Sequence, residues 1–190
     1  MKNLKLSFLL FGFFIVFNAS AQKFNGGAIL GFSTSQIDRD TQKGYNKLGF
    51  FSGVYVKRNF TDIIGAKIEL YFIGKGAKKN VNKIEEFKTQ LNYVEMPFLI
   101  TIKALNNIEI DFGICPAYLI SSKLVELGYE VPDSEYNIHN YDLSGILSIN
   151  YYFTDKIAVN SRFSYSISPI NETPGWLNSN LSFGLIYDFK

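Results

Sequence analysis

The chain has 190 residues, a length that suits one domain. Hydrophobic residues at 47% and aromatics at 16% exclude a disordered charged tail, and a mean hydropathy near zero excludes a polytopic helical membrane protein. The formal charge of +2 comes from Lys2 and Lys5, and the balance elsewhere leaves no basic field for nucleic acid. Those two lysines open an export signal. Leu6 to Phe17 is an apolar run broken only by Ser7 and Gly12, and Ala19-Ser20-Ala21 supplies the small residues a signal peptidase reads. A spanning helix needs about 20 apolar residues, so a membrane anchor is excluded on length. Cleavage is expected after Ala21, giving a signal peptide at 1–21 and one domain at 22–190. The sole cysteine, Cys115, excludes both a lipoprotein cleavage site and an internal disulfide.

Eight segments of period two follow, and no stretch has helical spacing over three turns. The first two, near 25–36 and 48–58, are glycine-rich and their facing is open. In the third, Ile64, Ala66, Ile68, Leu70 and Phe72 oppose Gly65, Lys67, Glu69 and Tyr71. In the fourth, Val94, Met96, Phe98, Ile100 and Ile102 oppose Tyr93, Glu95, Thr101 and Lys103. The fifth sets Ile108, Ile110, Phe112, Ile114, Tyr118 and Ile120 against Glu109, Asp111, Gly113, Cys115 and Ala117. The sixth, seventh and eighth, over 141–151, 157–167 and 177–189, set large apolar residues against Ser, Asn, Asp142 and Arg162.

Two architectures suit eight such strands. A soluble ligand-binding barrel turns the apolar face inward and shows water a face rich in Lys and Glu. A transmembrane barrel inverts this. Here the polar faces carry mostly small residues with a few charges, which is what a narrow lumen accepts. The expected fold is therefore all-β, an eight-stranded antiparallel transmembrane barrel with up-and-down meander topology.

Connectors agree: 59–62, 104–107 and 154–156 are short, whereas 37–47, 74–89, 122–140 and 169–176 are long. Short turns at one end and long loops at the other are the habit of outer-membrane barrels. Phe72, Tyr118, Tyr141 and Tyr165 then form the girdle near the loops. Tyr151, Phe153, Tyr187 and Phe189 form the one near the turns. Pro97 and Pro116 sit mid-strand, where each removes a ladder bond, so a bulge or bend is expected at each.

The residues now in hand resemble the Bacteroidetes-type outer-membrane β-barrel family often called PorT-like. The resemblance runs nearly end to end, through Leu30-Gly31-Phe32-Ser33, Leu48-Gly49-Phe50, Glu69-Leu70-Tyr71 and Lys75-Gly76-Ala77. Its most specific part is Leu91-Asn92-Tyr93-Val94-Glu95-Met96-Pro97, and it closes on Leu181 to Phe189, with Lys190 following the usual aromatic terminus. It implies an eight-stranded barrel in the bacterial outer membrane and implies no reaction.

By parity Lys67, Glu69, Glu95, Glu109, Asp111 and Arg162 face the lumen. Unpaired charge there costs several kcal/mol, so a salt-bridged plug is expected, with Arg162 and Lys67 neutralising Glu69 and Glu95. A narrow gated ion channel, in which the pairs exchange, is the alternative. A lipid A-modifying enzyme is a weaker one, since the only histidine, His139, has no spacing motif with Ser121, Ser122, Asp142 or Ser144. No Cys/His cluster offers a metal site, and no cofactor is expected. Lys75, Lys78, Lys79 and Lys83 of loop 74–89 are expected to contact lipopolysaccharide. Loop 122–140, with Glu126, Glu130, Asp133 and Glu135, and loop 74–89 are the places for a protein partner.

Overall fold

The computed structural model describes residues 24–40, 44–81, 84–132 and 136–189, with the side chains of all of these but 80–86. The expected signal peptide, Lys83, Asp133 and Glu135 lie outside the described residues. The strands are β1 (Phe24–Asp38), β2 (Lys47–Asn59), β3 (Ile64–Val81), β4 (Ile84–Glu95) and β5 (Phe98–Leu105), followed by β6 (Ile108–Glu126), β7 (Tyr129–Val131), β8 (Tyr141–Tyr152), β9 (Ile157–Ser166) and β10 (Leu177–Asp188).

All pairings are antiparallel, and β10 returns to β1 over Gly27↔Asp188 to Asp38↔Leu177, so the sheet closes on itself. The strands β4 and β5 are one stave interrupted at Met96–Pro97, and β7 is a short return against the end of β6. The ring therefore has eight staves. Closure pairs every stave on both sides through the body of the barrel, the condition for placing strands in hydrocarbon.

Facing follows the alternation and is inverted relative to a soluble protein. Leu70 is 51% exposed while its neighbour Glu69 is 1% exposed. Ile100, Ile114, Leu147, Leu185 and Phe183 are likewise exposed, and Asp111, Asn150, Arg162 and Ser182 are buried. Tyr118 and Tyr141 meet edge to face at 5.3 Å near one rim. Tyr151 with Phe153, and Tyr187 with Phe189, do so near the other. These are the two expected girdles.

The two prolines act together. In a strand the N–H and C=O of one residue point to the same side. The Pro116 carbonyl accepts the Met96 N–H at 2.9 Å, so the missing N–H of Pro116 points at the Met96–Pro97 break, where the ladder is already open. The Glu69 N–H reaches the Pro97 carbonyl at 3.1 Å across the same gap. Pro97 thus breaks its stave as expected, whereas Pro116 leaves the pairing with β8 unbroken at Pro116↔Leu143. The bulge on β6 comes later: Asn92 pairs with Ser121 and Tyr93 with Leu119, leaving Ile120 unpaired. It reverses the alternation, turning Leu124 inward and Lys123 out to pair with Glu130 at 2.9 Å.

The segment 74–89 is not a loop. The ladder between β3 and β4 runs without interruption in the chain of pairs from Tyr71↔Glu95 up to Lys79↔Phe87, and beyond a shift to Val81↔Ile84. Loop 122–140 is shortened in the same way, because β6 continues to Glu126 and turns back as β7.

Candidate functional site

The lumen holds a stack of charges, built from inward residues of β2, β3, β4, β6 and β9. Nearest the short turns, Lys57 of β2 pairs with Glu109 of β6. One layer up, Lys67 Nζ lies 2.6 Å from Asp111 Oδ2 and 3.4 Å from Glu109 Oε1. Asp111 also accepts from Thr101 Oγ1 at 2.9 Å and Asn150 Nδ2 at 2.8 Å. Asn160 then donates to Asn150, and Arg162 Nε to Asn160 Oδ1 at 3.1 Å, which carries the network to the middle of the barrel.

There Arg162 clamps Glu69 with two bonds, Nη1 to Oε2 at 2.8 Å and Nη2 to Oε1 at 3.2 Å. Its guanidinium lies over the Tyr71 and Phe51 rings, 5.2 and 5.8 Å from their centroids. A planar fork matched to a carboxylate and stacked on aromatics is a use of arginine that lysine cannot reproduce. Tyr71 Oη donates to Glu95 Oε2 at 2.6 Å, Cys115 Sγ lies 3.2 Å from the same oxygen, and Lys75 Nζ lies 2.5 Å from Glu95 Oε1. Above this, Asp142 accepts from Asn178 at 3.0 Å and Ser166 at 3.1 Å.

The lumen charges are thus paired Lys57–Glu109, Lys67–Asp111, Arg162–Glu69 and Lys75–Glu95. Two of these differ from the sequence expectation. Lys75, expected at the rim against lipopolysaccharide, is fully buried, because the β3–β4 hairpin continues the barrel alternation and then leans over the mouth. Having Lys75, Glu95 needs no share of Arg162, and Lys67 serves Asp111 instead of Glu69. Tyr71 lies inward as its parity predicts, whereas the open facing of the second segment leaves Phe51, Tyr55 and Lys57 unassigned as lumen residues. Their signal was present: along β2, Leu48, Phe50, Val54 and Val56 alternate with Gly49, Phe51, Gly53, Tyr55 and Lys57. The inward aromatics on that face hid the contrast.

The two ends of the barrel differ. At the turn end a cavity of about 190 Å³ opens outward, lined by Asn25, Asn59, Lys103, Tyr152 and Asp188, and floored by Lys57 and Glu109. At the loop end Trp176 stacks on Tyr136 at 4.9 Å and meets Phe87 edge to face at 6.4 Å, over buried Ile37, Leu91 and Leu124. That apolar cap closes the mouth. The His139 ring faces the Pro169 carbonyl at 3.3 Å, while Asp142 is bound within the barrel by Ser144, Ser166 and Asn178. Lys78 and Lys79 are half-buried on the hairpin.

The profile of the family described as "Outer membrane protein beta-barrel domain" matches residues 7–172. No curated protein sequence matches the chain. Among solved structures, Ail, the attachment invasion locus protein of Yersinia pestis, is 12% identical, covers 88% of this chain and 99% of its own, and superposes with a TM-score of 0.55. Ail in complex with the heparin analogue sucrose octasulfate is 10% identical with the same coverage and a TM-score of 0.54. Neisserial surface protein A is 11% identical over 87% of this chain and 97% of its own, with a TM-score of 0.54. These likenesses show the fold.

Proposed function

As a member of the outer membrane protein beta-barrel domain family, this chain forms a small barrel of the bacterial outer membrane, and we propose that it serves there as a structural or interaction module and not as a catalyst or an open porin. The observation that carries the reading is the lumen. Three buried ion pairs stand one above another under an apolar cap, with a fourth, Lys57–Glu109, below them at the floor of the turn-end cavity, and eight strands leave width only for side chains. Function is then left to the surfaces at the two ends. In this reading residues 1–21 are a cleaved export signal, the long-connector end faces outward, and the chain falls within the PorT-like group of its family. Of its basic residues on the hairpin, Lys78 is on the outward face and contacts lipopolysaccharide, whereas Lys79 shares the inward face of Lys75 and Phe87; the hairpin 74–89 with segment 122–140 offers a surface to a protein partner. The Ail structure with sucrose octasulfate shows a barrel of this fold holding a ligand.

Planar-bilayer recording on the purified chain tests the claim against the gated-channel alternative. The expected record is closed, with no steady conductance. A large steady conductance that rises further in Lys75→Met would replace this reading with a pore. An altered lipid A acylation pattern in a deletion strain, not restored by His139→Ala, would replace it with an enzyme.

A further inference from the structure

The pairing of charges in the lumen leaves one carboxylate over. Lys57, Lys67, Lys75 and Arg162 stand against Glu69, Glu95, Glu109, Asp111 and Asp142, four cations against five carboxylates. Asp142 is an inward residue of β8, 2% exposed, and it makes no ion pair among the described residues. Lys75 is within electrostatic reach of it, but that ammonium lies 2.5 Å from Glu95 and over the Tyr93 ring, 5.6 Å from its centroid. Lys47 stands on β2 across the ring and donates to the Leu48 carbonyl at 2.9 Å. Burying a charge without a partner costs several kcal/mol, so a counter-charge is required beside Asp142.

The two oxygens of Asp142 are used unequally. Oδ2 accepts from Asn178 Nδ2 at 3.0 Å, Ser166 Oγ at 3.1 Å and Ser144 Oγ at 3.4 Å. Oδ1 is buried and accepts from no described residue. The same holds for Asn178 Oδ1, whose amide nitrogen is spent on Asp142 and on the Tyr93 hydroxyl at 3.3 Å. Asn180, the next inward residue of β10, donates to Ser182 at 2.8 Å on its turn side, and its Oδ1 has no described donor either. Both asparagines are 1% exposed, two and four residues below Trp176 of the apolar cap.

Three buried acceptor oxygens, one of them on an anion, form the donor set of a hard cation. Water could donate to these oxygens but would leave the charge in place. A divalent ion would reverse the imbalance of one, and a monovalent ion removes it.

We propose that a monovalent metal cation, sodium or potassium, is held in the lumen by Asp142 Oδ1 together with the Oδ1 atoms of Asn178 and Asn180. The ion completes the charge balance of the plug. The proposal deepens the reading of the lumen as closed and does not depend on which end of the barrel faces outward.

The full chain, refolded in detergent in chloride salts of one ionic strength, provides the test. Replacing choline by sodium or potassium, from about 1 to about 100 mM, should raise the folded-to-unfolded ratio in urea at least about 10-fold, because only the folded lumen holds the ion. Asp142→Asn should fold without the ion and show no such rise. Glu130→Gln, at the exposed pair with Lys123, should respond as wild type does. Asn180→Ala leaves the bonds to Asp142 Oδ2 intact and should need about 10-fold more of the ion for the same rise. Wild-type crystals grown with thallium(I) in place of potassium should carry an anomalous peak against Asp142 and Asn178. Equal stability in choline and in both alkali salts would overturn the site, as would a thallium peak found only elsewhere. Stability in choline that rises on acidification in wild type but not in Asp142→Asn, with no alkali effect, would put a proton on Asp142 and overturn the metal. Steady bilayer conductance with the alkali response intact would overturn the closed plug and leave the site standing.

Discussion

Arg162 and Glu69 show what a buried pair does in this lumen. Both side chains are essentially inaccessible, and the bidentate geometry satisfies both carboxylate oxygens. Removing one partner leaves an uncompensated charge, whereas removing both leaves only a packing defect. Arg162→Ala should therefore destabilise the barrel by about 3–5 kcal/mol, and adding Glu69→Gln should recover much of that loss. Urea unfolding in detergent, carried out as a double-mutant cycle, measures the coupling. The same cycle with Glu95→Gln should give a smaller coupling, because Lys75 holds that carboxylate and only Tyr71 links it to Arg162. Equal couplings would mean that the two acids share the guanidinium after all.

At the scale of elements, the β3–β4 hairpin decides whether the outer mouth is open or shut. It leans across because Gly76 has φ +136°, and a Cβ there would lie 1.9 Å from the Thr89 carbonyl oxygen. No L side chain takes that conformation readily. Gly76→Val should free the hairpin from the mouth at a cost of about 1–3 kcal/mol while the staves below persist. Trp176, the only tryptophan, packs on Phe87 of this hairpin and is 3% exposed, so its fluorescence reports the change. Wild type should show blue-shifted emission resistant to acrylamide. The variant should shift to the red and become quenchable, with protease cutting within 74–91 and not elsewhere. Unchanged emission would show that the cap holds without the hairpin.

At the scale of the molecule, the barrel is stabilised from outside by lipid and from inside by polar pairing together with a buried apolar cluster that reaches the loop end. Its sensitivity to substitution should be distributed accordingly. Leu147, central on β8 and 50% exposed, faces the hydrocarbon. Leu147→Arg should cost about 2–4 kcal/mol in bilayers, the penalty for a cation near the midplane. In a soluble barrel the same exposed position would tolerate arginine almost freely. Urea titration in phospholipid vesicles distinguishes the two, and a loss below about 0.5 kcal/mol would argue against a lipid-facing β8.

The strand count, the meander, the inverted facing and the two girdles are all legible in the residues. They depend on period-two alternation and on which face is large and apolar, and these are local properties. Lys67, Glu69, Asp111 and Arg162 are placed in the lumen by parity alone. What parity cannot reach is everything that depends on a change of phase or on contact across the ring. The bulge at Ile120 turns Leu124 inward in place of Lys123, and no single-strand pattern announces it. The charges of 74–89 look like a solvated loop until Phe87, Thr89 and Leu91 of β4 supply the face against which Lys75 and Ala77 of β3 are buried. Partner choice among the lumen charges is likewise set by closure, since Arg162 and Glu69 lie 93 residues apart and meet only because the eight staves return on themselves. Sequence determines which residues enter the lumen because each strand carries its own alternation. The tertiary structure decides which of them touch, because that depends on the height and stagger of strands that never neighbour one another in the chain.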